Sequence, residues 1–221
     1  MLGGGGVVVG VRVCVMSLVS WNVWGLGGWE KRKEVKDLVK EKLPFVLCLQ
    51  ETKLQLIDGF LCTSLWGNSK HDYSYSSSVG ASGGLLTVWD TSEVEVWASV
   101  RGDRFLMIHG RFIKSNDEFY LFNLYAPCDQ RAKQALWDSL AACLHSLGSR
   151  NVCLCGDFNS VWSLEERWSV RDVHPTQEFT SFNEFIEACV LIDLPLNNRK
   201  FTWFKGDRRS MSRLDRFFLF E

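Results

Sequence analysis

The chain has 221 residues, 46% of them hydrophobic and 13% aromatic, enough to bury one sizeable core within a single domain. A formal net charge of -1 excludes the strongly basic character of a dedicated nucleic-acid coat, though not a local basic patch. Function must come from sites rather than from bulk charge.

Residues 1–15 form a Gly/Val-rich leader in which Gly3 to Gly6 precede Val7-Val8-Val9-Gly10-Val11, with no basic n-region and no clear cleavage site. It reads as unstructured, with Met16 as an alternative start, and it is too short and glycine-rich to span a bilayer, which takes ~20 apolar residues. No other segment reads as a membrane span. The domain proper is expected over residues 16–221. Helical spacing appears at Val35, Leu38, Val39 and Lys42. It recurs at Leu136, Leu140, Leu144 and Leu147, with Asp129 as N-cap, and at Phe179, Phe182, Phe185, Ile186 and Cys189. Apolar runs at 13–19, 45–49, 85–89, 94–100, 105–112, 119–124, 152–155, 201–204 and 214–220 predict strands. The consecutive strands between 85 and 124, with no helix between them, predict antiparallel hairpins with helices as outer layers. The eight cysteines make no Cys-x-x-Cys pair and fall mostly in apolar runs, as packing residues of a reduced, intracellular protein do.

Three of these runs end in polar groups. Val152-Cys153-Leu154-Cys155 is followed by Gly156-Asp157-Phe158-Asn159, the 45–49 run by Gln50-Glu51-Thr52, and the 13–19 run by Ser20-Trp21-Asn22. A strand that ends this way presents its carboxylate or carboxamide at the C-terminal edge of the sheet, where open α/β sheets bind ligands.

Seven motifs occur in order: Ser20-Trp21-Asn22, Leu49-Gln50-Glu51-Thr52-Lys53, Ser82-Gly83-Gly84-Leu85, Asn123-Leu124-Tyr125-Ala126-Pro127, Gly156-Asp157-Phe158-Asn159, Phe201-Thr202-Trp203 and Ser212-Arg213-Leu214-Asp215-Arg216. From Met16 onward the chain thus resembles the endonuclease/exonuclease/phosphatase superfamily. The wording is most similar to the apurinic-type endonuclease domain of plant non-LTR retrotransposon polyproteins, which also carry a reverse transcriptase. The resemblance implies a four-layered α/β/β/α sandwich of two mixed, mostly antiparallel sheets flanked by helices. It implies a Mg²⁺-dependent phosphodiester hydrolase, with Mn²⁺ as the alternative ion, acting on DNA as a monomer, with the nucleus as its place of work. In that reading Glu51 ligates the metal beside Asn22, Asp157 orients or deprotonates the attacking water, and Asn159 and Tyr125 hydrogen-bond phosphate oxygens. Family members close with a further strand bearing Ser-Asp-His, whose histidine Asp215 would orient; without it the fold lacks its last strand and activity is impaired. His71 in a polar loop, His109 in a strand, His145 in a helix and His174 in a loop are not expected to substitute.

Arg199, Lys200, Lys205, Arg208, Arg209, Arg213 and Arg216 crowd around Trp203. Arg208, Arg209, Arg213 and Trp203 are the candidate DNA contacts, through phosphates and base stacking; the alternative is an ordinary solvated face. Ser82-Gly83-Gly84 reads as a close-packing turn rather than a phosphate cradle, because no helix pattern follows it. Two other functions stay open: a phosphatase or phosphodiesterase of the same superfamily acting on a non-DNA phosphoester, and a non-catalytic remnant.

Overall fold

A computed structural model describes residues 8–13, 16–80, 82–148, 150–169, 178–196, 199–206 and 209–220. One sheet has the order β1-β2-β3-β5-β4, built from β1 (Val9–Val13), β2 (Met16–Asn22), β3 (Val46–Gln50), β4 (His71–Val79) and β5 (Ser82–Asp90). The other has the order β11-β14-β9-β8-β7-β6, from β6 (Val94–Arg101), β7 (Phe105–Phe112), β8 (Glu118–Tyr125), β9 (Val152–Asp157), β11 (Ile192–Asp193) and β14 (Asp215–Phe220). A small third sheet, β10-β13-β12, comprises β10 (Arg167–Ser169), β12 (Trp203–Phe204) and β13 (Ser210–Ser212). The helices are α1 (Trp29–Lys42), α2 (Gly59–Trp66), α3 (Gln130–Leu147) and α4 (Glu178–Ala188).

The period of two along each strand sorts side chains into three apolar layers. Leu47, Leu49, Leu86 and Val88 pack outward against Val35, Leu38 and Val39 of α1 and Leu61 and Leu65 of α2. Val46, Cys48, Ile108, Leu121, Cys155 and Phe217 fill the space between the sheets. Phe122, Leu124, Leu154 and Phe218 pack against Leu136, Trp137 and Leu140 of α3 and Phe182 and Phe185 of α4. The molecule is therefore two mixed β-sheets face to face with helices outside both. Strands covered on both faces, such as β3, are buried at every position, which is why they read as continuous apolar runs.

Two expectations change. Val9–Val13, assigned to an unstructured leader, pairs antiparallel with β2 from Val9↔Ser20 to Val13↔Met16, so part of the leader is an edge strand; residues 1–7 and 14–15 lie outside the described residues. His71, expected in a loop, opens β4, a strand too polar to announce itself by hydrophobicity, which pairs antiparallel with β5 from His71↔Asp90 to Val79↔Ser82. The short α2 was also not foreseen; its N-cap Asp58 accepts from Leu61 N at 2.8 Å, an Asx signal without a long apolar period behind it. Asp129 caps α3 through Ala132 N at 2.9 Å. Among the described residues no helix is long and apolar enough to cross a membrane.

Candidate active site

β2 and β3 run parallel with Asn22 opposite Gln50, and β8 and β9 run parallel with Tyr125 opposite Asp157. All four strands therefore end at one edge of the sandwich, and β14, antiparallel to β9, begins there with Asp215 opposite Asp157. A cavity of about 540 Å³ opens at this edge, lined by Asn22, Trp24, Glu51, Tyr125, Asp157 and Asn159 together with Arg167, Trp203 and Ser212 of the small sheet.

A buried polar network fixes the two sheets relative to each other directly beneath the cavity. The Gln50 amide donates to Ser20 Oγ at 3.0 Å and across the sheets to Asn123 Oδ1 at 2.7 Å. The Asn123 amide donates to the Leu86 carbonyl at 3.1 Å and Thr87 Oγ1 at 3.2 Å. Such groups would be costly to bury unpaired, so the contacts set one register between the layers. Both residues stood within recognised motifs, but only the assembled sheets show that they join.

The backbone departs from strand geometry around the cavity. Trp24, Glu51, Lys53 and Asn159 all have positive φ, at 57°, 53°, 57° and 47°. Bulky residues rarely adopt this region, and such conformations concentrate at functional sites. Two glycines make the close approaches that hold these turns. A Cβ on Gly84 would stand 2.4 Å from Thr52 Oγ1, while the carbonyls of Gly84 and Gly83 accept from Thr52 N and Lys53 N, both at 3.0 Å. A Cβ on Gly156 would stand 2.0 Å from the Leu124 carbonyl oxygen. The Ser82-Gly83-Gly84 segment is thus packed behind Glu51. Phe158, between Asp157 and Asn159, is fully buried against Trp137, Phe182 and Phe218 and nails the site loop to the helical layer.

Asp157 is buried and accepts from Asn22 Nδ2 at 2.8 Å and from Asn159 N at 2.9 Å. Desolvation pushes its pKa upward despite these donors, with Glu51 adding to the rise. Asp215 is buried behind Asp157 and is not part of the cavity wall; desolvation first, and then the Asp157 charge, push its carboxyl well above the usual range. Its Oδ1 has no hydrogen-bond partner. Burial, then Glu51 and Asp157, raise the Tyr125 phenol, so it remains a proton donor through neutral pH. Glu51 is paired with Lys53 Nζ at 3.0 Å. The Asn159 carboxamide donates to the Ala126 carbonyl at 2.7 Å, and Lys133 Nζ holds the Asn159 carbonyl at 2.6 Å.

Among the described residues no three His, Cys, Asp or Glu side chains form a metal-binding group. What converges is Glu51, Asp157 and the Asn22 carboxamide, hard oxygen donors with an orphaned carboxylate oxygen behind them. That set suits a cation that keeps several waters and takes few protein ligands. None of the described histidines lines the cavity; His109 Nε2 is 2.8 Å from Glu118 Oε1, and His174 lies outside the described residues.

The expected DNA-contacting cations are not all available. Arg213 Nη2 is bound to Asp193 Oδ1 at 2.8 Å and to the Leu194 carbonyl at 3.0 Å, and its Nη1 to Glu166 Oε1 at 3.3 Å. Arg216, 0% exposed, pairs with Glu166 and with Asp193 Oδ2 at 2.7 Å. Arg213, read as a phosphate contact, is therefore part of a buried ion-pair cluster. The cause is its register next to β14, which turns it toward Glu166 and Asp193. Trp203 lines the cavity, and Arg208 lies outside the described residues. The sequence reading missed Trp24 and Arg167, which also line the cavity. Trp24 sits two residues past the Asn22 motif, which was its only signal.

Residues 19–220 match the Endonuclease/Exonuclease/phosphatase family. The zebrafish (Danio rerio) DNA repair nuclease APEX1 is 30% identical over 159 residues, 67% of this chain and 50% of that protein, so the chain spans about half the length of this curated relative. The AP endonuclease LMAP of Leishmania major superposes with a TM-score of 0.73 at 18% identity, covering 92% of this chain and 78% of that one. The endonuclease domain of TRAS1, a telomere-specific non-LTR retrotransposon, superposes with a TM-score of 0.66 at 15% identity, covering 92% and 84%. Members of the matched family generally depend on a divalent metal. By its motifs, its sandwich and the matched length, this chain belongs to the endonuclease/exonuclease/phosphatase family.

Proposed function

We propose that the chain is a Mg²⁺-dependent DNA endonuclease of the kind found in non-LTR retrotransposons. The observation that carries this is the convergence of Asn22, Glu51, Tyr125, Asp157 and Asn159, from four strand ends, on one cavity. The likeness to APEX1 and to the TRAS1 domain supports DNA over other phosphoesters. The wording of the motifs supports a plant element whose polyprotein carries a reverse transcriptase, with the nuclease acting as a monomer in the nucleus.

Hydrolysis of a phosphodiester needs a positioned water, donors to the phosphate oxygens and neutralisation of the charge that develops on them. Asp157, fixed by Asn22 and the Asn159 amide, accepts a proton from the attacking water; its raised pKa makes it a better base than an exposed aspartate. Tyr125, kept protonated, donates a hydrogen bond from its phenolic O–H to a non-bridging oxygen, and the N–H of the Asn159 carboxamide not spent on Ala126 donates to another. Glu51 with Asn22 would hold the divalent ion, which supplies charge neutralisation at the phosphate. Asp215, paired opposite Asp157 in the sheet and buried behind it, acts as a positioning residue for that carboxylate.

The test is nicking of supercoiled plasmid by the purified chain in Mg²⁺, with EDTA and Glu51→Ala as controls. Metal-dependent nicking lost in Glu51→Ala is the expected result. Folded protein that nicks nothing, or a Glu51→Ala variant as fast as the parent, overturns the reading.

A further inference from the structure

The buried face of α3 carries Leu136, Trp137, Leu140 and Leu144 at helical spacing, and at the head of that apolar stripe stands Lys133, 3% exposed. Lysine is seldom buried to this depth unless its ammonium is bound, and an apolar side chain would continue the stripe without that requirement. What the ammonium reaches is the loop of the candidate site. Lys133 Nζ donates to the Asn159 carbonyl oxygen at 2.6 Å. One turn further along the same face, the Trp137 ring stacks on Phe158 with centroids 6.1 Å apart. Side chains at i and i+4 of one helix thus grip two consecutive residues of the Asp157-Phe158-Asn159 turn.

Asn159 is the residue for which this grip matters. Its φ of 47° takes its backbone out of the β9 ladder, so its carbonyl must find a donor outside the sheet. Its N–H donates to Asp157 Oδ1 at 2.9 Å, and its carboxamide to the Ala126 carbonyl at 2.7 Å. With the carbonyl on Lys133, the residue is fixed at its backbone N–H, its carbonyl and its side chain, and an ammonium donor makes the carbonyl bond short and strong. The same lysine sits in the first turn of a helix that starts just after Tyr125-Ala126-Pro127, where Ala126 N donates to the Asp157 carbonyl at 2.8 Å. It therefore joins the strand end that carries Tyr125 to the one that carries Asp157.

We propose that Lys133 is a positioning residue for hydrolysis: it holds Asn159 so that the free N–H of the carboxamide meets a phosphate oxygen as charge develops on it. This rests on the hydrolase reading above. Misplacing that donor weakens a contact that tightens in the transition state, and so slows the chemical step rather than substrate binding.

The experiment measures steady-state nicking of a duplex oligonucleotide in Mg²⁺ by the wild type, Lys133→Met, Asn159→Ala and the double variant, with calorimetric Mg²⁺ titration of each. Lys133→Met keeps the length of the stem and removes the ammonium. It should lower kcat by about 10- to 100-fold, the scale of a misplaced catalytic contact, with KM and Mg²⁺ affinity unchanged. The double variant should be no slower than Asn159→Ala, since the lysine acts through that residue. A wild-type kcat in Lys133→Met, or two losses that multiply in the double variant, overturns the proposal. So does loss of Mg²⁺ binding in Lys133→Met, which assigns the lysine to the fold alone. If the wild type itself nicks nothing, the hydrolase reading fails separately. The grip on Asn159 is then decided by amide hydrogen exchange in EDTA: exchange of the Asn159 N–H faster by about 10-fold in Lys133→Met supports it, and equal exchange refutes it.

Discussion

Asp215 and Arg216 are consecutive on β14 and point to opposite faces, each into a buried cluster of charge, and the two clusters are built in opposite ways. On the outer face Arg216 and Arg213 meet Glu166 and Asp193, two cations against two anions, with every carboxylate answered by a guanidinium. On the inner face Asp215 and Asp157 meet across β14 and β9 with no ion pair on either among the described residues. Asp157 has only neutral donors, and Asp215 Oδ1 has no partner. A folded chain tolerates unanswered buried charge where something else is to answer it, so the unbalanced cluster marks the functional site and the balanced one holds the fold. The balanced cluster still serves the site. It ties the 3-10 turn at Leu164–Glu166 and β11 to β14, and the Arg213 amide donates to the Glu166 carbonyl at 2.9 Å, which steadies the small sheet bearing Trp203.

The contrast can be broken first at the unbalanced cluster. Asp157→Ala should reduce plasmid nicking by about 10²- to 10⁴-fold, the range for loss of a general base, while leaving the thermal midpoint of the metal-free protein at or above that of the parent. A variant that loses stability and keeps its rate would reverse the assignment. Arg216→Ala should do the opposite. It strands two carboxylates in a buried setting and should cost about 3–5 kcal/mol in denaturant unfolding, and a loss below about 1 kcal/mol would show the cluster to be solvated.

These two expectations also show what the chain discloses in advance. Asn22, Glu51, Asp157 and Asn159 could be picked out because each follows an apolar run, and strand period and sheet topology carry such residues to one edge whatever the rest of the chain does. The helical periods of α1, α3 and α4 and the Asp129 cap were legible for the same local reason. Arg213 was misread because whether a cation is free or paired depends on Glu166 and Asp193, 47 and 20 residues away in sequence, brought together only by the fold. β4 was missed because its side chains are polar, and its strand state is dictated by pairing with β5. Trp24 was missed because an aromatic residue just past a strand end is informative only once its exposure and its place on the cavity are known.

The pH dependence sharpens the comparison. Asp157 and Asp215 titrate above an unfolded carboxylate in the metal-free fold, so the folded state binds more protons than the unfolded one between those values. Stability in EDTA should therefore fall as pH rises through the raised native pKa values and be regained on acidification toward the unfolded value of about 3.9. Asp215→Asn should flatten that slope in a series of unfolding curves, and an unchanged slope would remove the carboxylate pair as its source.

Gly84→Ala should cost about 1–3 kcal/mol, since it imposes both a clash with Thr52 and a positive φ of 87°, and it should lower nicking by displacing the turn that carries Glu51. The smallest effect belongs to Arg213. With its guanidinium already paired, Arg213→Ala should leave the slope of DNA affinity against salt unchanged to within less than one phosphate contact. A drop of about one in that slope would return Arg213 to the DNA surface.

The most direct measurement is calorimetric titration of Mg²⁺ into the wild type, Glu51→Gln and Glu166→Gln. If the unbalanced cluster is the cation site, the wild type and Glu166→Gln bind Mg²⁺ alike and Glu51→Gln does not. Binding that survives Glu51→Gln, or that is lost equally in Glu166→Gln, contradicts the division of the molecule into a charge cluster that awaits a cation and one that is complete without it.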